Sequence, residues 1–317
     1  MPRRRSPVTR PMPKFPILCM LMIVAPALAP VLALPAAAQT APPLADGVRQ
    51  MVEAAARSGN QARIDAVVAT ARETNPQAKA EIDHIVATIA AERSAMEEAR
   101  LREANLFDNW SGSGRLGGAL STGNSRTKSL SAGLDIERKG LMWRHRLNAL
   151  LDLVDSDGGT DQERMLAGYQ IDYQYSETAY FWARIEYERN QQAGIDRRFA
   201  ESAGIGWRVI APSPVTLDLE AGPAVRQTRY PGFSENRVAG RGAVRFRWDL
   251  SDRATFTNDS ALFWDKAGTF TNRAALTSKL IGSLSAQLSY SIAWEQDPPN
   301  NRKNLDTTSR ASLVYDF

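Results

Sequence analysis

Ser129-Leu130-Ser131-Ala132-Gly133-Leu134-Asp135-Ile136-Glu137 alternates apolar and small or polar residues without a break. A pleated strand sends successive side chains to opposite faces, so this stretch has one apolar and one polar face. The same period recurs on both sides of it. Met165, Ala167, Tyr169, Ile171 and Tyr173 alternate with Arg164, Gly168, Gln170 and Asp172. Phe181, Ala183, Ile185 and Tyr187 alternate with Arg184, Glu186 and Glu188. Val238, Val244, Phe246, Trp248 and Leu250 alternate with Arg241, Arg245, Arg247 and Asp249.

From Trp110 to Phe317 about twelve such segments of roughly ten residues can be drawn, a length that suits a tilted strand crossing a bilayer. They fall at 110–120, 127–138, 142–153, 163–175, 179–189, 198–210, 215–227, 237–250, 254–265, 271–281, 284–296 and 305–317. In the ninth, Asn258 and Ser260 interrupt the apolar face, which leaves room for a bulge or another register. Short connectors (Lys139-Gly140, Ser176 to Thr178, Ala211 to Pro214, Ser251 to Arg253, Gly282-Ser283) take turns with mostly longer polar ones, such as Asp155 to Gln162, Asn190 to Arg197, Arg229 to Asn236 and Asp297 to Asn304. Outer-membrane barrels have short periplasmic turns and longer outer loops, and an even strand number keeps both ends on one side.

Alternation does not tell inside from outside, and a soluble β-sandwich or lipocalin-like barrel shows it too. Three features favour an all-β membrane barrel of about 12 antiparallel, up-and-down strands. The polar faces mix many charges with Gly, Ser and Gln. Trp110, Trp143, Tyr175, Trp248, Trp294 and Tyr315 lie near strand ends, as in an interfacial girdle. The final strand sets Leu313, Tyr315 and the terminal Phe317 on one face, like the signal by which outer-membrane barrels are recognised for assembly.

The period before Trp110 is helical. Val48, Met51 and Val52 lie in a first helix with Gly59 as its stop, Asn60 is placed to cap a second, and Asn75-Pro76 marks the start of a third. Ile64, Val67, Val68 and Ala71, then Ile82, Ile85, Val86 and Ile89, recur at helical spacing before the chain turns charged from Glu92 to Glu103. A small helical hairpin or short coiled coil is expected, with a module for a periplasmic partner as its functional alternative.

The first residues read as a secretory signal: Arg3, Arg4, Arg5, Arg10 and Lys14, an apolar stretch from Phe15, and the small-residue site Ala36-Ala37-Ala38. The expected organisation is a signal peptide at 1–38, a linker at 39–43, a helical periplasmic segment at 44–106 and an outer-membrane barrel at 107–317. The formal charge of +4 comes from 39 basic and 35 acidic residues. Without the leader's five basic residues, 34 basic face 35 acidic, so the pI near 9.3 carries no argument for nucleic acid. The single cysteine, Cys19, lies in the leader. Disulfide and thiol chemistry are therefore not expected of the exported protein.

Catalysis is not expected either. Of the two histidines, His84 falls on a helix surface. His145 shares a strand face with Trp143 and Leu147 and lacks the nearby serine of barrel lipases. The run Asp155-Ser156-Asp157-Gly158-Gly159-Thr160-Asp161 has calcium-loop character but lacks the closing Glu, so it reads as a solvated loop. No cofactor and no metal are expected.

Arg237, Arg241, Arg245 and Arg247 share the polar face of the eighth strand, and Asp218, Glu220 and Arg226 that of the seventh. Further inward candidates are Arg144, Arg146, Arg164, Asp172, Arg184, Glu186, Glu188, Arg208, Arg273, Lys279 and Glu295. Opposite charges on neighbouring strands contribute about 0.2–1 kcal/mol per pair. The expected reading is a narrow lumen filled by paired charges in a structural barrel. The alternatives are a small-solute or ion channel whose Arg row sets ion preference, and, remotely, a lipid-modifying enzyme. The expected surroundings are outer-membrane lipid, lipopolysaccharide and the barrel-assembly machinery, engaged through Leu313, Tyr315 and Phe317.

From Trp110 to Phe317 the chain resembles the YdiY-like family of salt-induced outer-membrane proteins, a domain of unknown function. The matching residues are Trp110-Ser111-Gly112 with Gly117, the turn Ser121-Thr122-Gly123-Asn124-Ser125, and Ser312-Leu313-Val314-Tyr315-Asp316-Phe317. The resemblance implies an outer-membrane barrel with an envelope-stress role and supplies no catalytic residues.

Overall fold

The computed structural model describes residues 43–105, 107–122, 127–155, 162–191, 193–210, 214–266, 268–298 and 302–317. Residues 1–42, which hold the expected leader with Cys19 and most of the expected linker, positions 123–126 and the acidic run 156–161 lie outside the described residues.

Three helices come first: α1 (Asp46–Ser58), α2 (Gln61–Thr74) and α3 (Lys79–Glu103), the last led in by a 3-10 turn at Pro76–Ala78. Gly59 ends α1 with a φ of 67°, the left-handed cap that glycine adopts without strain. The Asn60 side chain caps α2 by accepting from the Arg63 amide at 3.0 Å. Leu44, Val52, Val68, Ala71, Ala78 and Ile82 form the core of this unit, with Val48, Ile64 and Ile85 against it. The second half of α3 and His84 are exposed.

Twelve strands follow: β1 (Trp110–Thr122), β2 (Thr127–Lys139), β3 (Trp143–Asp155), β4 (Gln162–Gln174), β5 (Ala179–Asn190), β6 (Ile195–Ile210), β7 (Val215–Tyr230), β8 (Phe233–Ser251), β9 (Ala254–Trp264), β10 (Thr269–Ile281), β11 (Leu284–Glu295) and β12 (Leu305–Asp316). Each pairs antiparallel with its sequence neighbours, and β1 pairs with β12, closing the barrel and leaving no free edge. At the seam, Gly112 and Phe317 exchange two backbone hydrogen bonds of 2.9 Å. A Cβ at position 112 would fall 2.6 Å from the Phe317 ring and 2.8 Å from the Asp135 carbonyl oxygen, so glycine lets the ring lie over the strand there.

Burial decides which face is which. Leu130, Phe181, Ile185 and Leu288, all from the apolar faces, are more than half exposed, whereas Gln170 and Asp172 are fully buried. Arg241 and Arg310 are 6% and 5% exposed. The order is inside-out relative to a lipocalin: apolar side chains form the outer belt and polar ones fill the interior. Closed ladders with an apolar exterior are the strand solution for crossing hydrocarbon, because every backbone polar group is paired within the wall.

Two expectations change. Strands take up much of the polar stretches expected as loops at Asn190 to Arg197 and Arg229 to Asn236. β6 starts at Ile195, and β7 and β8 pair up to Tyr230↔Phe233 across Pro231-Gly232, with Gly232 at a φ of 94°. A ladder needs backbone groups rather than apolar side chains, so strands continue past the belt into polar sequence. β9 is also regular. It pairs with β10 from Ala254 to Phe263 with no register shift, and its only shift against β8 lies at the turn, between Asp249 and Ser251. Asn258 and Ser260 keep their places on the outward face, in register with Phe246 and Val244. There Asn272 donates to Asn258 Oδ1 at 3.0 Å and to Ser260 Oγ at 2.7 Å. Glu201, in register with Ile185 and Val225, is another polar residue on the outward face.

Candidate functional site: the charged lumen

Alternation places even positions of β3 to β7 and odd positions of β8 and β9 on the lumen side. The side chains there meet in a network centred on Glu220 of β7. Its carboxylate accepts from Tyr180 Oη at 3.0 Å, Gln170 Nε2 at 2.8 Å and Arg241 Nη1 at 3.2 Å. Arg146 Nη2 approaches at 3.4 Å and Arg245 makes a close ion pair. A carboxylate held by several donors and guanidinium groups inside a wall is compensated for its desolvation.

Asp172 forms a second centre, accepting from Arg144 Nε and Arg146 Nη2 at 2.7 Å each and from Gln170 Nε2 at 2.8 Å. Asp218 pairs with Arg208 at 3.2 Å and lies 3.8 Å from Arg144. Arg184 donates to Asn148 at 3.1 Å and lies 3.0 Å from Glu186. Aromatic faces complete the wall. The guanidinium of Arg241 sits 4.9 Å from the Trp182 ring centre, that of Arg226 4.9 Å from Phe263, and that of Arg144 5.2 Å from Tyr180. Tyr180 lies flat because Gly206 faces it across β5 and β6. A Cβ at position 206 would fall 2.2 Å from the Tyr180 ring.

Several ion pairs join strands that are not neighbours, Arg144 of β3 with Asp218 of β7 and Arg241 of β8 with Glu186 of β5 among them, each at 3.8 Å. Arg146 of β3 meets Glu220 of β7. Arg310 of β12 pairs with Asp152 of β3 at 2.9 and 2.7 Å. Arg198 of β6 reaches Glu295 of β11 at 2.7 Å while also holding Glu188 of β5 at 3.1 Å. These pairs narrow the interior without filling it. A cavity of about 1570 Å³ remains, lined at the short-turn end by residues such as Gly140, Leu141 and Asp316, and at the other end by Asn190, Pro298 and Arg302.

The four arginines of β8 divide. Arg241 and Arg245 join Glu220. Arg237 pairs with Glu235 at 2.5 Å, and Arg247 with Asp249 at 2.8 Å, each on its own strand and nearer a mouth. Sequence reasoning missed Gln170 as a linker between the two acidic centres, and Tyr180, Trp182 and Phe263 as lumen aromatics. Position parity with Arg184 and Glu186 was the available signal for Tyr180 and Trp182. On the outer face His145 Nδ1 is 2.7 Å from the Tyr169 hydroxyl, so the histidine is partnered by a phenol. Among the described residues no cluster of His, Cys, Asp or Glu is arranged to hold a metal ion.

Residues 114–317 match the family described as "Protein of unknown function, DUF481". The chain belongs to this family. A relative within reach of the DUF481 barrel is "Uncharacterized protein YdiY" of Escherichia coli (strain K12), 22% identical over 196 residues, covering 61% of this chain and 78% of that protein. Among solved structures, the DUF481 chain is similar to the NanC porin, with a TM-score of 0.45, 11% identity and coverage of 64% and 98% of the two chains. It is also similar to the COG4313 outer membrane channel from Pseudomonas putida F1, with a TM-score of 0.43, 12% identity and coverage of 68% and 100%.

Proposed function

We propose that this barrel is an outer-membrane channel for ions or small polar solutes, with its constriction at the Glu220 network. The observation that carries the reading is a cavity lined by residues from both ends of the barrel. The apolar outer belt and the leader-like N-terminal sequence support an outer-membrane position among lipid and lipopolysaccharide. β1 begins and β12 ends at the short-turn end, so the helical unit enters from the same side, read here as periplasmic. Leu313, Tyr315 and Phe317 are the proposed contact with the assembly machinery.

Arg241 and Arg245, held against Glu220, are the proposed selectivity residues. Positive groups lining a narrow lumen raise the local anion concentration. Neutralising both should shift the reversal potential in a salt gradient towards cations, and an unchanged reversal potential would remove them from that role. A second reading, a structural barrel without transport, is favoured by the ion pairs that cross the lumen. It predicts a folded protein that carries no current.

A further inference from the structure

We propose that the outer face of β7 to β10 is a lateral interface between two copies of this chain within the membrane. The inference does not depend on whether the lumen conducts.

The outward side chains divide by region. On β2 to β5 most are bulky and apolar, with Leu130, Leu153, Met165, Phe181 and Ile185 well exposed beside Ala132, Ala149, Ala167 and Ala183, as suits contact with acyl chains. On β7 to β10 the mid-strand outward positions are Ala221, Pro223, Gly240, Gly242, Asn258, Ser260, Asn272 and Ala274. A Cβ at Gly240 would have no atom within 4 Å, and one at Gly242 would meet only a backbone oxygen at 4.0 Å. Packing within the chain does not demand glycine at either place. Small residues leave a shallow face onto which another protein wall can move closely, the general device of protein contacts in hydrocarbon.

The polar cluster specifies the occupant. Asn272 uses both amide N–H groups, on Asn258 Oδ1 and Ser260 Oγ. Asn258 gives one N–H to Asn272 Oδ1 at 3.4 Å, and Ser260 gives its hydroxyl to Asn258 Oδ1 at 3.3 Å. An amide has two N–H donors and an oxygen with two lone pairs. Among the described residues, one donor of Asn258 and one lone pair of Asn272 are therefore left over. Lipid tails satisfy neither, and unpaired polar groups in hydrocarbon are costly. A two-fold axis would set the spare donor of each copy against the spare acceptor of the other, and the cluster itself carries no charge to repel its own image.

The test uses the full chain with Cys19→Ser, so that an introduced thiol is the only one. Ser260→Cys, oxidised in membranes, should give a disulfide-linked dimer, while Ala149→Cys on the outer face of β3 should stay monomeric. In mild detergent, Asn258→Leu with Asn272→Leu should lower the dimer-to-monomer ratio at least tenfold while keeping heat-modifiable gel migration, the sign of an intact barrel. Equal cross-linking at both positions, an adduct with the mass of another protein, or a monomer in bilayers and detergent alike would each overturn the proposal.

Discussion

The lumen has two walls of different chemistry. From β3 to β8 it is a dense lattice of guanidinium, carboxylate, amide and aromatic groups around Glu220 and Asp172. From β10 to β12 hydroxyl and small groups are more frequent, Thr269, Thr277, Ser285, Ser289 and Thr308 among them, beside the long side chains of Arg273, Lys279, Gln287, Glu295 and Arg310. In the first wall Glu220, Asp172, Gln170 and Arg146 are each held by more than one partner, and removing one leaves others under-satisfied. The second is less densely cross-linked, and both walls line the cavity, the second through Thr269, Arg273, Thr308 and Arg310. The difference is one of cross-linking: one wall fixes its charges against one another, and the other leans more on hydroxyl and small groups.

The largest expected effect is at Glu220. Glu220→Ala takes from Arg245 its carboxylate partner and from Arg146 and Arg241 one of two, and should destabilise the barrel by about 3–5 kcal/mol, the usual result of breaking a buried ion cluster on one side. Urea unfolding in lipid or detergent, followed by tryptophan fluorescence, measures it. A loss no larger than that of Ser289→Ala on the opposite wall would erase the distinction between the walls. Tyr180→Phe removes one hydrogen bond to the carboxylate and should lower stability by about 1.5–3 kcal/mol in the same assay. Gly206→Ala should lower it by roughly 1–3 kcal/mol by pushing Tyr180 off its seat. That loss should shrink in a Tyr180→Ala background, because the two positions act through one contact. Ser289→Ala itself should stay within about 0.5 kcal/mol of the parent.

Much of the architecture is legible in the sequence. A period of two, broken at turn residues, places twelve strands within a few residues of those found, and parity sorts each side chain to one of two faces. Which face meets lipid is not set by alternation alone. It follows from closure, which buries Gln170 and Asp172 and exposes Leu130 and Phe181. The strand extensions to Tyr230 and Phe233 escaped notice because polar residues outside the apolar belt look like loop. The partners of Glu220 are the least legible. Arg146 and Gln170 come from strands that share no ladder with β7, so their meeting depends on the curvature of the wall and the reach of long side chains. The split of the β8 arginines has the same origin. Neighbouring acids on their own strand capture Arg237 and Arg247, while Arg241 and Arg245 lie level with the carboxylate.

The central claim, that the lumen is a passage, is tested most directly in a planar bilayer with purified protein whose heat-modifiable migration shows it to be folded. The expected result is discrete current steps that scale linearly with voltage, with a reversal potential that shifts towards cations when Arg241 and Arg245 are neutralised. A folded, inserted barrel that carries no current at any voltage applied would contradict it and leave the structural reading in its place.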